Sequence, residues 1–411
     1  MERRETLAYG LLGLPLAFAA LPLYVHLPPL YASLGVDLAW LGAILLLSRL
    51  LDAAVDPWLG RLADRWSRPR LLALALPLLA LGFAGLTRPP AGAGGGWLLL
   101  WLLPTYLGFS AATLAYQAWG AALGVTPGQR TRLTAAREGW GLLGILLAAV
   151  LPAWWQGQGA AIAESLQPLG WMLPPLLLLA AWPLYRLGQR RHGSWQHPVL
   201  PPVSGNWASL RADPAIWRLL SVFAVNGLAS ALPATLFLFF VADVLQRPAS
   251  GGALLGLYFL AGALSLPLWV RLAAMHGRVA AWAAGMLLAL LAFAGAVWLG
   301  PGDLVPFALI CLASGLALGA DLALPAALLA DLSERLGQSG RCFGVWNLVA
   351  KLNLALAAGL ALPLLAVAGY VPGQPQGTAA LVLAYAVLPL LCKLLALALL
   401  WRWRPILEEV R

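Results

Sequence analysis

Charge is scarce in this chain. Of its 411 residues only 10% are Asp, Glu, Lys or Arg, while 61% are hydrophobic. A soluble domain carries about 25% charged residues, so the shortage excludes a soluble globular protein and points to an integral membrane one. Lysine is nearly missing: Lys351 and Lys393 are the only two, and arginine supplies the rest of the positive charge. Cysteine is confined to Cys311, Cys342 and Cys392, in or beside apolar stretches. An odd, scattered set without ligand spacing argues against a disulfide framework and against a cysteine metal site. The chain also has no Walker A loop and no H-E-x-x-H pattern. Nothing therefore supports an enzyme or an ATP-driven pump, and neither a cofactor nor a resident metal is expected.

What is abundant is long apolar sequence. Twelve stretches of spanning length lie near 8–30, 38–60, 71–87, 97–124, 138–155, 169–187, 218–245, 251–270, 279–299, 304–332, 343–369 and 379–401. Arg3 and Arg4 before the first stretch could open a signal peptide. However, the run continues past Ala17-Phe18-Ala19 to about Leu30, long enough to span a bilayer as a helix. The longest polar stretch, 188–217, carries Arg190, Arg191, His192, Pro198, Pro201, Pro202 and Arg211, and it divides the segments six and six. The expected organisation is an N-terminal six-helix bundle over 1–187, a cytoplasmic linker over 188–217 and a C-terminal six-helix bundle over 218–411.

The arginines set the orientation. With the N-terminus inside, the basic clusters at Arg3–Arg4, Arg61–Arg70, Arg130–Arg137, Arg186–Arg218, Arg271–Arg278, Arg335–Arg341 and Arg402–Arg411 all fall on the cytoplasmic side. The outer loops keep only Arg88 and Arg247. Both termini are then cytoplasmic and the protein sits in the cell (inner) membrane. The net charge of +10 is topogenic and attracts anionic lipid headgroups, with no need of nucleic acid.

The two halves repeat. Pro57-Trp58-Leu59-Gly60-Arg61-Leu62-Ala63-Asp64-Arg65-Trp66-Ser67-Arg68 overlays Pro267-Leu268-Trp269-Val270-Arg271-Leu272-Ala273-Ala274-Met275-His276-Gly277-Arg278 with five identities in twelve, at an offset of 210 (267 less 57). Each copy joins the second and third segments of its half, as a parallel repeat about the membrane normal requires. Gly60 through Arg70 resembles the G-x-x-x-D-[RK]-x-x-x-[RK] loop of major facilitator transporters. In that resemblance Gly60, Asp64, Arg65 and Arg68 form a conformational latch, with Arg137 a partner for Asp64. An acid adds nothing to topogenic charge, so Asp64 needs a role of this kind.

Charge inside the membrane is costly, about 2.5–3.5 kcal/mol per residue on insertion scales. Arg49, Asp52 and Asp56 nevertheless interrupt the second segment, spaced i−3 and i+4 about Asp52 so that they share one face. Two neighbouring carboxylates repel, which favours binding a proton or a cation. Lys351, about two turns into the eleventh segment, is the expected counter-charge across a central cavity.

"RLLDAAVDPWLG", from Arg49 to Gly60, resembles the R-x-x-D-A-x-x-D-P-x-x-G element of the glycoside–pentoside–hexuronide:cation symporters, the melibiose-permease-like family. Tyr9-Gly10, the run Gln129 to Arg137, Asp331, Lys351 and "GYVPGQPQGTAALVLAYAVLPLL" carry the similarity along the whole chain. The resemblance implies an all-α membrane protein with twelve transmembrane helices in two pseudo-symmetric bundles. It also implies a cation site on helix 2 and a lysine opposite. The family's two sugar-binding acids fall at Ala17 and Thr113, which lack carboxylates, so a galactoside is not expected. Val55 replaces a neutral oxygen ligand between the helix-2 acids. That loss disfavours Na⁺, which needs several oxygens, and favours H⁺.

Tyr116, Gln117, Trp119, Asn226, Asp321 and Asn347 are candidates to line a substrate cavity, with interhelical hydrogen bonding as their alternative role. Two functions stay open. The first is cation-coupled symport of a small polar, sugar-like solute by a monomer. The second is export, or transport of a lysolipid-type molecule, on the same fold.

Overall fold

The computed structural model describes residues 2–190, 207–370, 374 and 377–408, and these are helical almost throughout. The twelve long helices are α1 (Arg3–Ser33), α2 (Leu38–Arg65), α3 (Arg68–Thr87), α4 (Gly95–Leu123), α5 (Pro127–Gly157) and α6 (Ile162–Arg190), then α7 (Pro214–Val244), α8 (Gly251–His276), α9 (Arg278–Trp298), α10 (Leu304–Arg335), α11 (Ser339–Val367) and α12 (Thr378–Arg402). Among the described residues, ten of them are long and apolar enough to cross a membrane. The other two are α2, interrupted by Arg49, Asp52 and Asp56, and α11, which carries Lys351.

Most helices outrun their apolar segments because charged and capping residues extend them into the interfaces. Asp37 caps α2 by accepting from the Trp40 N–H at 2.9 Å, and Asp213 caps α7 by accepting from Ala215 and Ile216. Part of the expected linker is helical: α6 reaches Arg190, Trp207–Ala212 forms a short helix and α7 starts at Pro214. Residues 191–206 of that linker lie outside the described residues.

The chain divides into two compact units. One comprises Met1–Asn206 with Ser333–Leu348, the other Trp207–Leu332 with Val349–Arg411. The segment Ser333–Leu348 ends α10 and begins α11, yet it packs with the first unit.

Within the first unit helices approach closely through small residues, the way helices pack where water supplies no hydrophobic drive. Gly108 of α4 lies against the Leu79 backbone of α3, and Gly144 of α5 against Leu14 of α1. In the second unit an aromatic core joins α7, α10 and α12. Phe240 and Tyr385 stack at 4.1 Å between ring centroids, with Phe307 at 5.4 Å from Phe240. Phe240 and Tyr385 both sit on π-helical turns, Phe240–Val244 and Leu383–Val387. A third π-turn, Pro22–His26, lies in α1. Such turns admit one extra residue and re-aim the side chains around it.

The repeated turns match in structure. Arg68 opens α3 as Arg278 opens α9, each just after the helix that ends at Arg65 or His276.

Candidate functional site

The first unit collects the charge of α2. Asp56 is wholly buried and Asp52 is 8% exposed. The Ser110 hydroxyl of α4 donates to Asp52 Oδ1 at 2.6 Å. Arg49, one turn before Asp52, places its guanidinium 4.7 Å from the centre of the Tyr24 ring, on the π-turn of α1. The i−3 and i+4 spacing thus brings Asp52 to a hydroxyl of α4 and Arg49 to an aromatic ring of α1, with Asp56 withdrawn from the surface between the helices. Ser110 and Tyr24 escaped the sequence analysis, because a single serine or tyrosine in an apolar helix has no spacing to betray it. Lys351 belongs to the second unit.

Beyond Gly60, where the apolar part of α2 ends, Asp64 reaches the start of α11. Its Oδ1 accepts from the Gly340 N–H at 2.6 Å and its Oδ2 from the Arg341 N–H at 3.0 Å. These are N-terminal N–H groups of α11, which have no partner inside their own helix and carry the positive end of its dipole. Burial pushes the Asp64 carboxyl up to about 6, while the two N–H groups and the charges of Arg341 and Arg68 pull it down. Around it, the Ser339 hydroxyl donates to Glu334 at 2.5 Å and Arg341 Nη1 to Gln338 at 3.0 Å.

The crossing depends on bare backbone. A Cβ on Gly60 would collide with the Gly340 carbonyl oxygen, and one on Gly340 with the Gly60 carbonyl oxygen. One turn on, a Cβ on Gly344 would meet the Asp56 carbonyl oxygen at 2.7 Å. Gly340-x-x-x-Gly344 is a small-xxx-small pair, a sequence signal that was there to be read.

Arg137 is not a partner of Asp64. It pairs with its neighbour Glu138 at 2.5 Å, both largely buried, beside Tyr9 and Tyr116. Tyr116 is committed to packing: its hydroxyl donates to the Tyr9 carbonyl at 2.6 Å, and Tyr9 donates back to the Tyr116 carbonyl at 3.1 Å. Trp119 is buried as well, 2% exposed. Gln117 and Asn347 do come together, Asn347 Nδ2 donating to Gln117 Oε1 at 3.1 Å.

In the second unit Asp321 is far from partnerless. Lys393 Nζ of α12 lies 2.6 Å from its Oδ2, and the Trp282 indole N–H of α9 donates to its Oδ1 at 2.8 Å. Asp321 therefore closes a three-helix polar contact instead of standing alone on a cavity wall. Arg278 ion-pairs with Asp331 and donates to the Ala327 carbonyl at 3.0 Å. Asn226 and Asn353 are buried, with Asn226 Oδ1 and Asn353 Nδ2 making no hydrogen bond. Among the described residues no cluster of His, Cys, Asp and Glu is arranged to hold a metal.

The sequence model of the family described as MFS/sugar transport protein matches residues 6–406. A search of the curated proteins returns no significant match. Among solved structures, a bacterial homologue of the iron transporter ferroportin in an outward-facing state is similar. It has a TM-score of 0.76 at 17% identity, over 98% of this chain and all of that one. The E. coli fucose:proton symporter is similar with a TM-score of 0.69 at 15% identity, over 97% of each chain.

Proposed function

The chain belongs to the MFS/sugar transport protein family and is a multi-pass membrane transporter, not an enzyme, and from that premise we propose that it couples cation movement, H⁺ before Na⁺, to symport of a small polar, sugar-like solute by alternating access. The observation that carries this reading is the pair Asp52 and Asp56, buried one turn apart in α2 with Ser110 donating to the first. Two carboxylates this close gain by taking up one positive charge, and a proton needs no ring of oxygen ligands. A proton on the acids would substitute for Lys351 as their counter-charge, releasing the lysine during transport. The fucose:proton symporter is a proton symporter by its own description; its similarity here supports the fold that such coupling uses.

The same proposal places both termini in the cytoplasm of a monomer in the inner membrane, from the arginine distribution. It keeps the melibiose-permease-like subfamily on the helix-2 element. The second reading, an exporter or lysolipid-type transporter, is favoured by Ala17 and Thr113, which leave the family's two sugar-binding positions on α1 and α4 without a carboxylate to hold sugar hydroxyls.

Uptake into proteoliposomes under an imposed pH gradient, a sodium gradient or neither tests the reading. Sugar-like solutes should accumulate under the pH gradient and stop doing so in Asp52→Asn/Asp56→Asn. Accumulation that persists in the double variant would remove these acids from coupling, and translocation of lysolipid alone would favour the second reading.

A further inference from the structure

The turn between α2 and α3 concentrates more positive charge than the latch requires. The group comprises Arg61, Arg65, Arg68, Arg70 and Arg341. Of the acids near it, Asp64 and Glu334 act on Arg68 and Asp64 on Arg341. Arg341 is 7% exposed and lies near enough to Arg61 and Arg65 for their charges to oppose its own. The Nε atoms of Arg61, Arg68 and Arg341 are buried without a hydrogen-bond partner. Three of these arginines keep buried donors unspent among the described residues, and Arg65 and Arg70 beside them are exposed, so the group as a whole favours an anion nearby.

A cleft opens beside it. About 480 Å³ in volume, it is lined by Arg65, Trp66, Ser67, Arg70, Ala73 and Leu74. Arg65 belongs to both the cluster and the cleft. The Ser67 hydroxyl does not cap α3, although the residue stands at the cap position. The lining divides by chemistry. Two guanidinium groups and a hydroxyl suit a phosphate, while Ala73 and Leu74 continue into the apolar face of α3, where Leu74 is 60% exposed. Trp66, 44% exposed, is the residue type that settles at the headgroup level of a bilayer. A free phosphate would use only the first half of this lining; a phospholipid uses both.

We propose that this cleft is a binding site for an anionic phospholipid, its phosphate taken by Arg65, Ser67 and Arg70 and its chain lying along Ala73 and Leu74. The bound charge would offset the repulsion among the five arginines at the place where Asp64 holds α11. The site is separate from the solute and the coupling ion, and its test needs neither.

The purified, delipidated full chain is titrated with short-chain phosphatidylglycerol, short-chain phosphatidylcholine or inorganic phosphate, and its unfolding midpoint is followed. Phosphatidylglycerol at a hundredfold excess over its dissociation constant should raise the midpoint by roughly 2–4 °C or more. The other two should leave it within error. Arg65→Gln and Arg70→Gln should each lose most of the shift. Leu74→Glu keeps both arginines, changes an exposed side chain and should lose the shift by repulsion, which covers the case of an arginine variant that fails to fold. An equal shift with phosphatidylcholine overturns recognition of the charge. An equal shift with inorganic phosphate overturns the lipid. A shift undiminished in the folded variants overturns the location.

Discussion

The Asp64 carboxylate accepts the Gly340 backbone N–H at 2.6 Å, joining residues 276 positions apart in the chain. Together with the bond from Arg341 N–H it satisfies two of the four donors that the start of α11 leaves open. Hydrogen bonds to a charged acceptor contribute about 1.5–3 kcal/mol each before the cost of burying the charge. Asp64→Ala should therefore free the start of α11 while leaving both units folded. Hydrogen–deuterium exchange should quicken in peptides covering 339–348 and stay unchanged in α7 and α12. Unchanged exchange at 339–348 would show that Asp64 holds nothing.

The acidity of Asp64 gives this contact a pH dependence with a definite sign. Burial lifts the carboxyl from its usual 3.8 to about 6, so the tied arrangement binds a proton more tightly than a released one. By linkage the tie is strongest below about pH 4, weakens as pH rises towards 6 and is flat above. Exchange at 339–348, corrected for its intrinsic pH dependence, should follow that curve in the wild type. It should be level across the same range in Asp64→Asn. An opposite slope would mean that the hydrogen bonds outweigh burial.

Backbone contact between Gly60 and Gly340 sets the distance at which the tie can form. Gly60→Ala drives a methyl into the Gly340 carbonyl oxygen, and neither helix backbone can turn aside cheaply. The variant should lower the unfolding midpoint and abolish transport. Gly344→Ala, with a looser clash against the Asp56 carbonyl oxygen, should do less. Equal, near-wild-type behaviour of the two would place the crossing elsewhere.

Much of this was legible in the sequence. Hydrophobic run length set the number and order of the helices, and the arginine census and the 210-residue repeat located the turns that Arg68 and Arg278 occupy. Local spacing exposed Arg49, Asp52 and Asp56 as one face. What stayed hidden is what depends on partners distant in the chain. Nothing near Asp321 in the sequence announces Lys393, 72 residues on. Arg137, expected as a partner of Asp64, pairs instead with Glu138 beside it, a contact that adjacency in the sequence makes geometrically easier. Gly340 and Gly344 leave no mark in the charge pattern, because what they contribute is the absence of a side chain.

The Asp321–Lys393 pair yields a prediction about stability. Both groups are mostly buried, and Trp282 adds one hydrogen bond to the acid. Removing one member of such a pair strands the other charge, at about 3–5 kcal/mol, whereas replacing both with apolar groups is often close to neutral. Lys393→Ala should sharply reduce the yield of folded protein. Lys393→Met combined with Asp321→Leu should recover it, as judged by monodisperse size-exclusion profiles and unfolding midpoints. A single variant as stable as wild type would mean that the pair adds nothing to the second unit.

Coupling makes the most demanding prediction, and the same cost of stranded charge decides it. If a proton on Asp52 or Asp56 replaces Lys351 as counter-charge, Lys351→Ala leaves two acids in the membrane without their cation. Each uncompensated charge there costs several kcal/mol, so this single variant should be more damaging than Lys351→Ala combined with Asp52→Asn or Asp56→Asn. The double variants should regain folded protein and downhill exchange of solute, but not accumulation against a gradient, because the proton site is gone. Counterflow and gradient-driven uptake in the same proteoliposomes separate the two abilities. Should Lys351→Ala alone still concentrate solute under a pH gradient, the lysine takes no part in the exchange of charge. The proton would then be balanced by Arg49, which already stands one turn from Asp52 with its guanidinium over Tyr24.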